Sequence, residues 1–388
     1  MPPTKDPPAH RMPAGEPAAH RMPAGEPPAH RLPDGEPPAH RMPARPVLPS
    51  LTALRAPAAV AIFLFHSLFL LPHWLPNGTR SALAATAPSA VSFFFVLSGF
   101  VLAWGRPAGG STGAFLRRRV ARLVPLYLFV WLGALAVEVA SRTVPSARGI
   151  AASGLLVQAW FPRPGVTLAV NPVGWSLSCE VVFSALLPVL LLGASRLTPR
   201  GRLVALGLLV VAVLVLAVGA SAGSPPTEVR TWLVAYSPLT RLAEFAAGVL
   251  AAVTVAAGCR RIPLALSLLV LAVSLVVTSR TSLLYHWAAV TMTAYLLLVV
   301  AAAQSDLTGR TGVSALLRAR PLVRLGHWSY AFYLAHVPVG FLLLYAVGKA
   351  RLEQHPWVSL SVWFVLAGSL SAFAHAVIEV PLSRRLRR

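Results

Sequence analysis

Charge is scarce in this sequence. Asp, Glu, Lys and Arg make up 12% of its 388 residues, and only 12 residues are acidic. A soluble domain carries roughly a quarter of its residues as charge, so water alone is excluded as the solvent. Cysteine is scarcer still. Cys179 and Cys259 lie far apart beside apolar runs, which excludes a disulfide framework and offers no metal-ligand spacing. The first 46 residues lack any apolar run, so no cleavable signal peptide is expected there. The shortage of acid leaves a formal charge of +22. That balance could suggest nucleic acid, but the arginines stand in short clusters between apolar runs rather than on a polar domain. Flanking clusters are what the positive-inside rule expects, and no nucleic-acid partner is expected.

Apolar residues are abundant, at 56% of the chain. Before them, residues 1–46 form a tail built on a ten-residue repeat: PAHRMPAGEP from Pro8, AAHRMPAGEP from Ala18, PAHRLPDGEP from Pro28, and a decaying copy from Pro38. Its prolines forbid helix and it has little to bury, so the tail is expected to be disordered.

From residue 47 the apolar runs have membrane length, about 20 residues each for a ~30 Å hydrocarbon core. The expected fold is an all-α integral membrane bundle of about ten transmembrane helices. The expected spans are 50–72, 86–105, 122–141, 173–194, 203–220, 235–257, 262–279, 283–303, 328–347 and 357–381. With the amino terminus inside, the inner connections hold 18 Lys and Arg and the outer ones 8. That bias predicts both termini in the cytoplasm and a multi-pass protein of the cell membrane. The longest outer connection, 142–172, is expected to carry a short re-entrant or interfacial helix.

Ionisable side chains within spans are costly and are functional candidates. Arg55 and His66, eleven residues apart in the first span, fall on one helix face with His66 ~16 Å deeper. Arg119 and Arg122 sit one turn apart; with Arg118 they form a guanidinium cluster suited to phosphate. Positive-inside anchoring is the alternative. Counting rise from the outer ends puts His66 and Glu180 each ~10 Å below the outer surface, where they can meet. Arg241 and Glu244, at i and i+3, reach a similar depth, with a structural ion pair as the alternative. Tyr330, Tyr333, His336 and Glu379 are placed in the inner half, either lining a channel or bonding between helices.

Seven segments, in order, resemble the acyltransferase-3 family over residues 47–388. They are the Arg-x10-His of the first span, FFFVLSGF (Phe93–Phe100), FLRRRVARLVPLY (Phe115–Tyr127), WSLSCEVVF (Trp175–Phe183), RLAEFAAG (Arg241–Gly248), LGHWSYAFYLAH (Leu325–His336) and IEVPLSRRLRR (Ile378–Arg388). The resemblance implies an enzyme that moves an acyl group, commonly acetyl, from acyl-coenzyme A to a hydroxyl of a carbohydrate or related acceptor. It implies no bound cofactor, only acyl-CoA as co-substrate. His66, Glu180 and Arg55 are then the catalytic candidates, with His66 as base or as a transient acyl carrier. Arg118, Arg119, Arg122, Tyr330 and Tyr333 are donor-binding candidates; Trp175, Ser176, Arg241 and Glu244 are acceptor-binding candidates. The resemblance ends with the last span, which directs the expectation toward a small-metabolite or lipid-linked acceptor. A secondary transporter or flippase using the same intramembrane Arg, His and Glu is the competing class, but no two related halves are visible after residue 47. A purely structural scaffold would leave polar side chains at common depths unexplained.

Overall fold

The computed structural model describes residues 45–106, 109–221, 227–281, 286–309 and 313–381. The repeat tail, at residues 1–44, lies outside them. Among the described residues there is helix and no strand. Nine helices are long and apolar enough to cross a membrane: α1 (Pro49–Leu70), α2 (Asn77–Gly105), α3 (Thr112–Ala140), α4 (Trp175–Arg196), α5 (Pro199–Ser221), α6 (Glu228–Ala256), α8 (Val290–Leu307), α9 (Arg320–Val347) and α10 (Pro356–Glu379). Between α6 and α8 lies α7 (Leu264–Arg280), 17 residues and ~25 Å long. The ten expected spans are thus ten helices, one of them short.

Two ends differ from the apolar runs. The third helix was expected to begin at residue 122 but starts at Thr112. Ser111 caps it by accepting from the Ala114 amide at 3.3 Å, and arginine is a good helix former. The basic segment is therefore helical. The ninth was expected to begin at 328 but starts at Arg320, with Pro at its first turn.

Packing without a hydrophobic driving force relies on close backbone approach. A methyl group at Gly99 of α2 would strike the Phe245 carbonyl of α6, and one at Gly248 of α6 would strike the Val96 carbonyl of α2. The two helices meet backbone to backbone at the centre of the core, beside buried Phe100, Phe183 and Phe245. Helix α5 is the least buried span, turning Leu203, Leu208, Val211 and Val215 outward, as lipid permits and water does not.

The 142–172 connection does carry short helices, at Ala147–Gly154 and Pro164–Thr167. It descends into the bundle. Ser153, Gln158, Thr167 and Asn171 are buried. Tyr127 of α3 donates to the Ser153 carbonyl at 2.8 Å, and the Asn171 amide donates to the Leu334 carbonyl in mid-α9 at 3.0 Å. These bonds satisfy backbone groups that lipid could not. Arg142, Leu156 and Val170 take positive φ here, a strained choice for β-branched Val170. Helix α4 consequently starts part-way down the bundle.

Candidate active site

A cavity of about 150 Å³ lies between α1, α2, α3, α4 and α9. Its apolar wall includes Phe94, Phe95, Leu97 and Leu123; its polar groups are Arg55, Ser98, Arg119, Arg122, Ser176, Glu180, Tyr330 and Tyr333. A mostly apolar chamber with a few convergent polar groups is the usual form of a ligand site.

Glu180 is the best-held polar group. Arg119 pairs with it, Ser98 Oγ donates to its Oε1, and Arg119 Nε also donates to Ser184 Oγ at 3.3 Å. Depth counting had brought Glu180 to His66, but its partners are Arg119 and Ser98. The reason is the descending connection: Asn171 already bonds to mid-α9, so α4 starts part-way down the bundle and Glu180 lies deeper than its position in the span suggests. Arg122 reaches Glu379 at 3.6 Å, and His375 Nδ1 lies 2.9 Å from the other oxygen of that carboxyl. Arg118 is exposed, outside the chamber. Arg55 lines the chamber and has no ion-pair or side-chain hydrogen-bond partner among the described residues.

The tyrosines are both in the wall and bonded between helices. Tyr330 donates to the Leu123 carbonyl at 2.8 Å, and Tyr333 meets Ser176 Oγ at 2.8 Å. Trp175 stands behind the wall, edge-on to Phe95 and Tyr236. Arg241 and Glu244 do not reach the chamber. They are 2% and 1% exposed, 3.3 Å apart, with Arg241 over the rings of Phe95 and Trp175 and donating to Ser92 Oγ at 3.3 Å. Their expected place at the acceptor gives way to a buried ion pair, with the Phe95 and Trp175 rings against Arg241. Cys179 is fully buried against the Tyr236 carbonyl.

His66 is half-buried and sits beyond Tyr333, outside the chamber lining. Its Nδ1 lies 2.9 Å from the Ile62 carbonyl and 3.2 Å from His336 Nε2. His336, expected in the inner half as a structural residue, is fully buried, with Nδ1 3.1 Å from the Phe332 carbonyl. Only an N–H can face a carbonyl, so both rings carry hydrogen on Nδ1. His336 Nε2 is then a lone pair that shares the single His66 Nδ1–H with the Ile62 carbonyl. His66 Nε2 is left basic, with no partner among the described residues. The ring of His336 lies 6.1 Å from that of Tyr333, so Tyr333, His336 and His66 form a continuous path out of the chamber. The signal in the sequence was the closing His of LGHWSYAFYLAH, read too deep; Ser98, inside FFFVLSGF, carried no charge to mark it.

The acyltransferase-3 model, described as an acyltransferase domain, matches residues 48–378. The chain is also similar to "Acyltransferase MdmB" of Streptomyces mycarofaciens, 36% identical over 368 residues, covering 88% of this chain and 93% of that protein. No solved structure is significantly similar. With the family model spanning all ten helices and a curated acyltransferase matching nearly end to end, the chain is an acyltransferase of the membrane rather than a transporter, and it belongs to the acyltransferase-3 family.

Proposed function

We propose that the protein moves an acyl group, acetyl in the simplest case, from acyl-coenzyme A to a hydroxyl of a carbohydrate or related acceptor, in the cell membrane with both termini cytoplasmic. The observation that carries this reading is His66, whose Nδ1–H is fixed by Ile62 and His336 while its Nε2 stays unpartnered among the described residues. A base fixed in that tautomer can take the proton of a hydroxyl. The hydroxyl oxygen then attacks the thioester carbonyl carbon, the carbon–sulfur bond breaks, and the coenzyme A thiolate receives the proton from His66. A positive imidazolium formed on the way is stabilised by the lone pair of His336.

Arg55 takes a different part from the catalytic one expected of it. Eleven residues of helix separate it from His66 by ~16 Å, so it cannot touch the same reacting atom. Unpaired among the described residues and beside Arg122, it suits the donor diphosphate. About 13 bonds join that diphosphate to the thioester sulfur, ~15 Å when extended at the reach of an extended chain. The Arg55–His66 spacing therefore matches a donor lying along the chamber, with Tyr330 and Tyr333 in its wall. Arg119 and Glu180 shape the chamber and hold α3 to α4. The acceptor approaches His66 from the side opposite the chamber, with Trp175 and Ser176 supporting the wall between.

The test is transfer of labelled acetyl from coenzyme A in vesicles, combined with mass comparison of glycans, lipids and small metabolites from deletion and complemented strains. A product heavier by one acyl group and dependent on the protein is expected. No labelled product from any acceptor pool would overturn the reading.

A further inference from the structure

A second cavity, of about 460 Å³, opens beside the start of α9 and the end of α10. Arg318, Arg320, Arg324, His327, Trp328 and His375 line it. Its volume falls within the ~300–1,000 Å³ of small-molecule sites. Three guanidiniums and two imidazoles surround it. Arg320 and Arg324 have no carboxylate partner among the described residues, whereas Arg318 lies within electrostatic reach of Asp306. The rings of His327 and His375 stack at 6.3 Å. The nearest carboxylate on α10, Glu379, is already shared between His375 and Arg122. The surplus is therefore cationic.

Positive-inside anchoring and interfacial aromatics account for arginines and a tryptophan near a helix end, but neither gathers them with two histidines around one concave space. An arginine-lined cavity with an aromatic wall suits a phosphorylated base: guanidinium forks take the phosphate, and an indole face stacks on the ring. Its position adds the second argument. The link Arg122–Glu379–His375 runs from the lining of the first chamber, through a carboxylate, to the lining of this one.

We propose that this cavity is a phosphate site for the nucleotide end of the donor, with Arg320 and Arg324 holding the 3′-phosphate and Trp328 against the adenine. It rests on the reading of acyl-coenzyme A as donor and extends the donor from the first chamber, past Arg122, into the second. An anionic lipid headgroup shares the phosphate chemistry and is the competing source.

The experiment measures binding of coenzyme A and of dephospho-coenzyme A, which lacks only the 3′-phosphate, to the full chain in phosphatidylcholine nanodiscs. Wild-type protein is expected to favour coenzyme A about tenfold or more, as a charged hydrogen bond lost from a ligand usually costs. In Arg320→Ala/Arg324→Ala the two ligands should bind alike, with dephospho-coenzyme A nearly unaffected, and Arg324→Lys should restore part of the difference. Unaffected dephospho-coenzyme A binding also shows that the variant is folded. Variants that keep the wild-type preference, or wild-type protein with none, would overturn the site alone. Wild-type protein that binds neither form would overturn the donor assignment and the site together. Loss of co-purifying phosphatidylglycerol from the double variant, with the coenzyme preference intact, would give the cavity to lipid instead.

Discussion

His336 Nε2 lies 3.2 Å from His66 Nδ1, joining α9 to α1 across 270 residues of sequence. Each ring is tied by its own Nδ1–H to the carbonyl one turn earlier, at Phe332 and Ile62. The second histidine therefore fixes the tautomer of the first, the part that a carboxylate plays in a hydrolase triad. His336 touches no reacting atom in this scheme and acts as a positioning residue.

Loss of that positioning should appear in turnover. His336→Ala is expected to lower kcat about 10²-fold while leaving KM for the donor nearly unchanged. His336→Gln, which can still accept from His66, should recover part of it. A rise in donor KM with kcat intact would instead mark His336 as part of the donor wall.

The Arg119–Glu180 pair is mostly buried, at 14% and 12% side-chain exposure. Removing one partner strands the other charge, at a cost of up to about 3–5 kcal/mol. Glu180→Leu and Arg119→Met should each lower the thermal midpoint in detergent, and the double variant should be more stable than either single one. Additive losses would show that the two side chains do not act as a pair.

Gly99 and Gly248 leave no room for a methyl group between α2 and α6, whereas Gly133 of α3 faces open space. Gly99→Ala or Gly248→Ala should sharply reduce folded protein by size-exclusion after detergent extraction, and Gly133→Ala should not. Equal yields for all three would contradict the close approach of the two helices.

Much of this architecture can be read from apolar run length alone, since backbone satisfaction in lipid makes a 20-residue run a helix. Depth inside the bundle is harder to read. Counting from span ends assumes that every span starts at the surface, and α4 does not, because Asn171 has already reached Leu334 in mid-α9. Glu180 was therefore matched to His66 when its partner is Arg119. The same assumption placed His336 too deep. Gly326 of α9 lies against the Thr52 carbonyl of α1, so His336 stands ten residues above that level and His66 fourteen above it. The difference is about one turn, which two imidazole rings bridge. Arg55 and His66 were legible because both lie on one helix, where spacing needs no reference surface. Arg241 and Glu244 were legible as a pair, but the rings against Arg241 come from α2 and α4 and leave no trace in local spacing.

The positive-inside rule, applied to connections that hold 18 and 8 Lys and Arg, predicts both termini in the cytoplasm. Reporter fusions after Arg202 and Arg388 should read cytoplasmic, and a fusion near Arg163 should read outside. A fusion after Arg280 should also read outside if the 17-residue α7 crosses the membrane. A cytoplasmic reading there would leave α7 re-entrant and reverse the helices after it.

The most direct measurement is acyl transfer by His66→Ala beside wild-type protein, with coenzyme A binding measured on the same preparations. Transfer should fall toward the upper end of the ~10²–10⁴-fold expected for loss of a general base, with donor affinity kept, because Arg55, proposed for the donor diphosphate, lies ~16 Å away. Near wild-type turnover in His66→Ala would contradict the account, since among the described residues His336, the imidazole beside it, already has both ring nitrogens engaged.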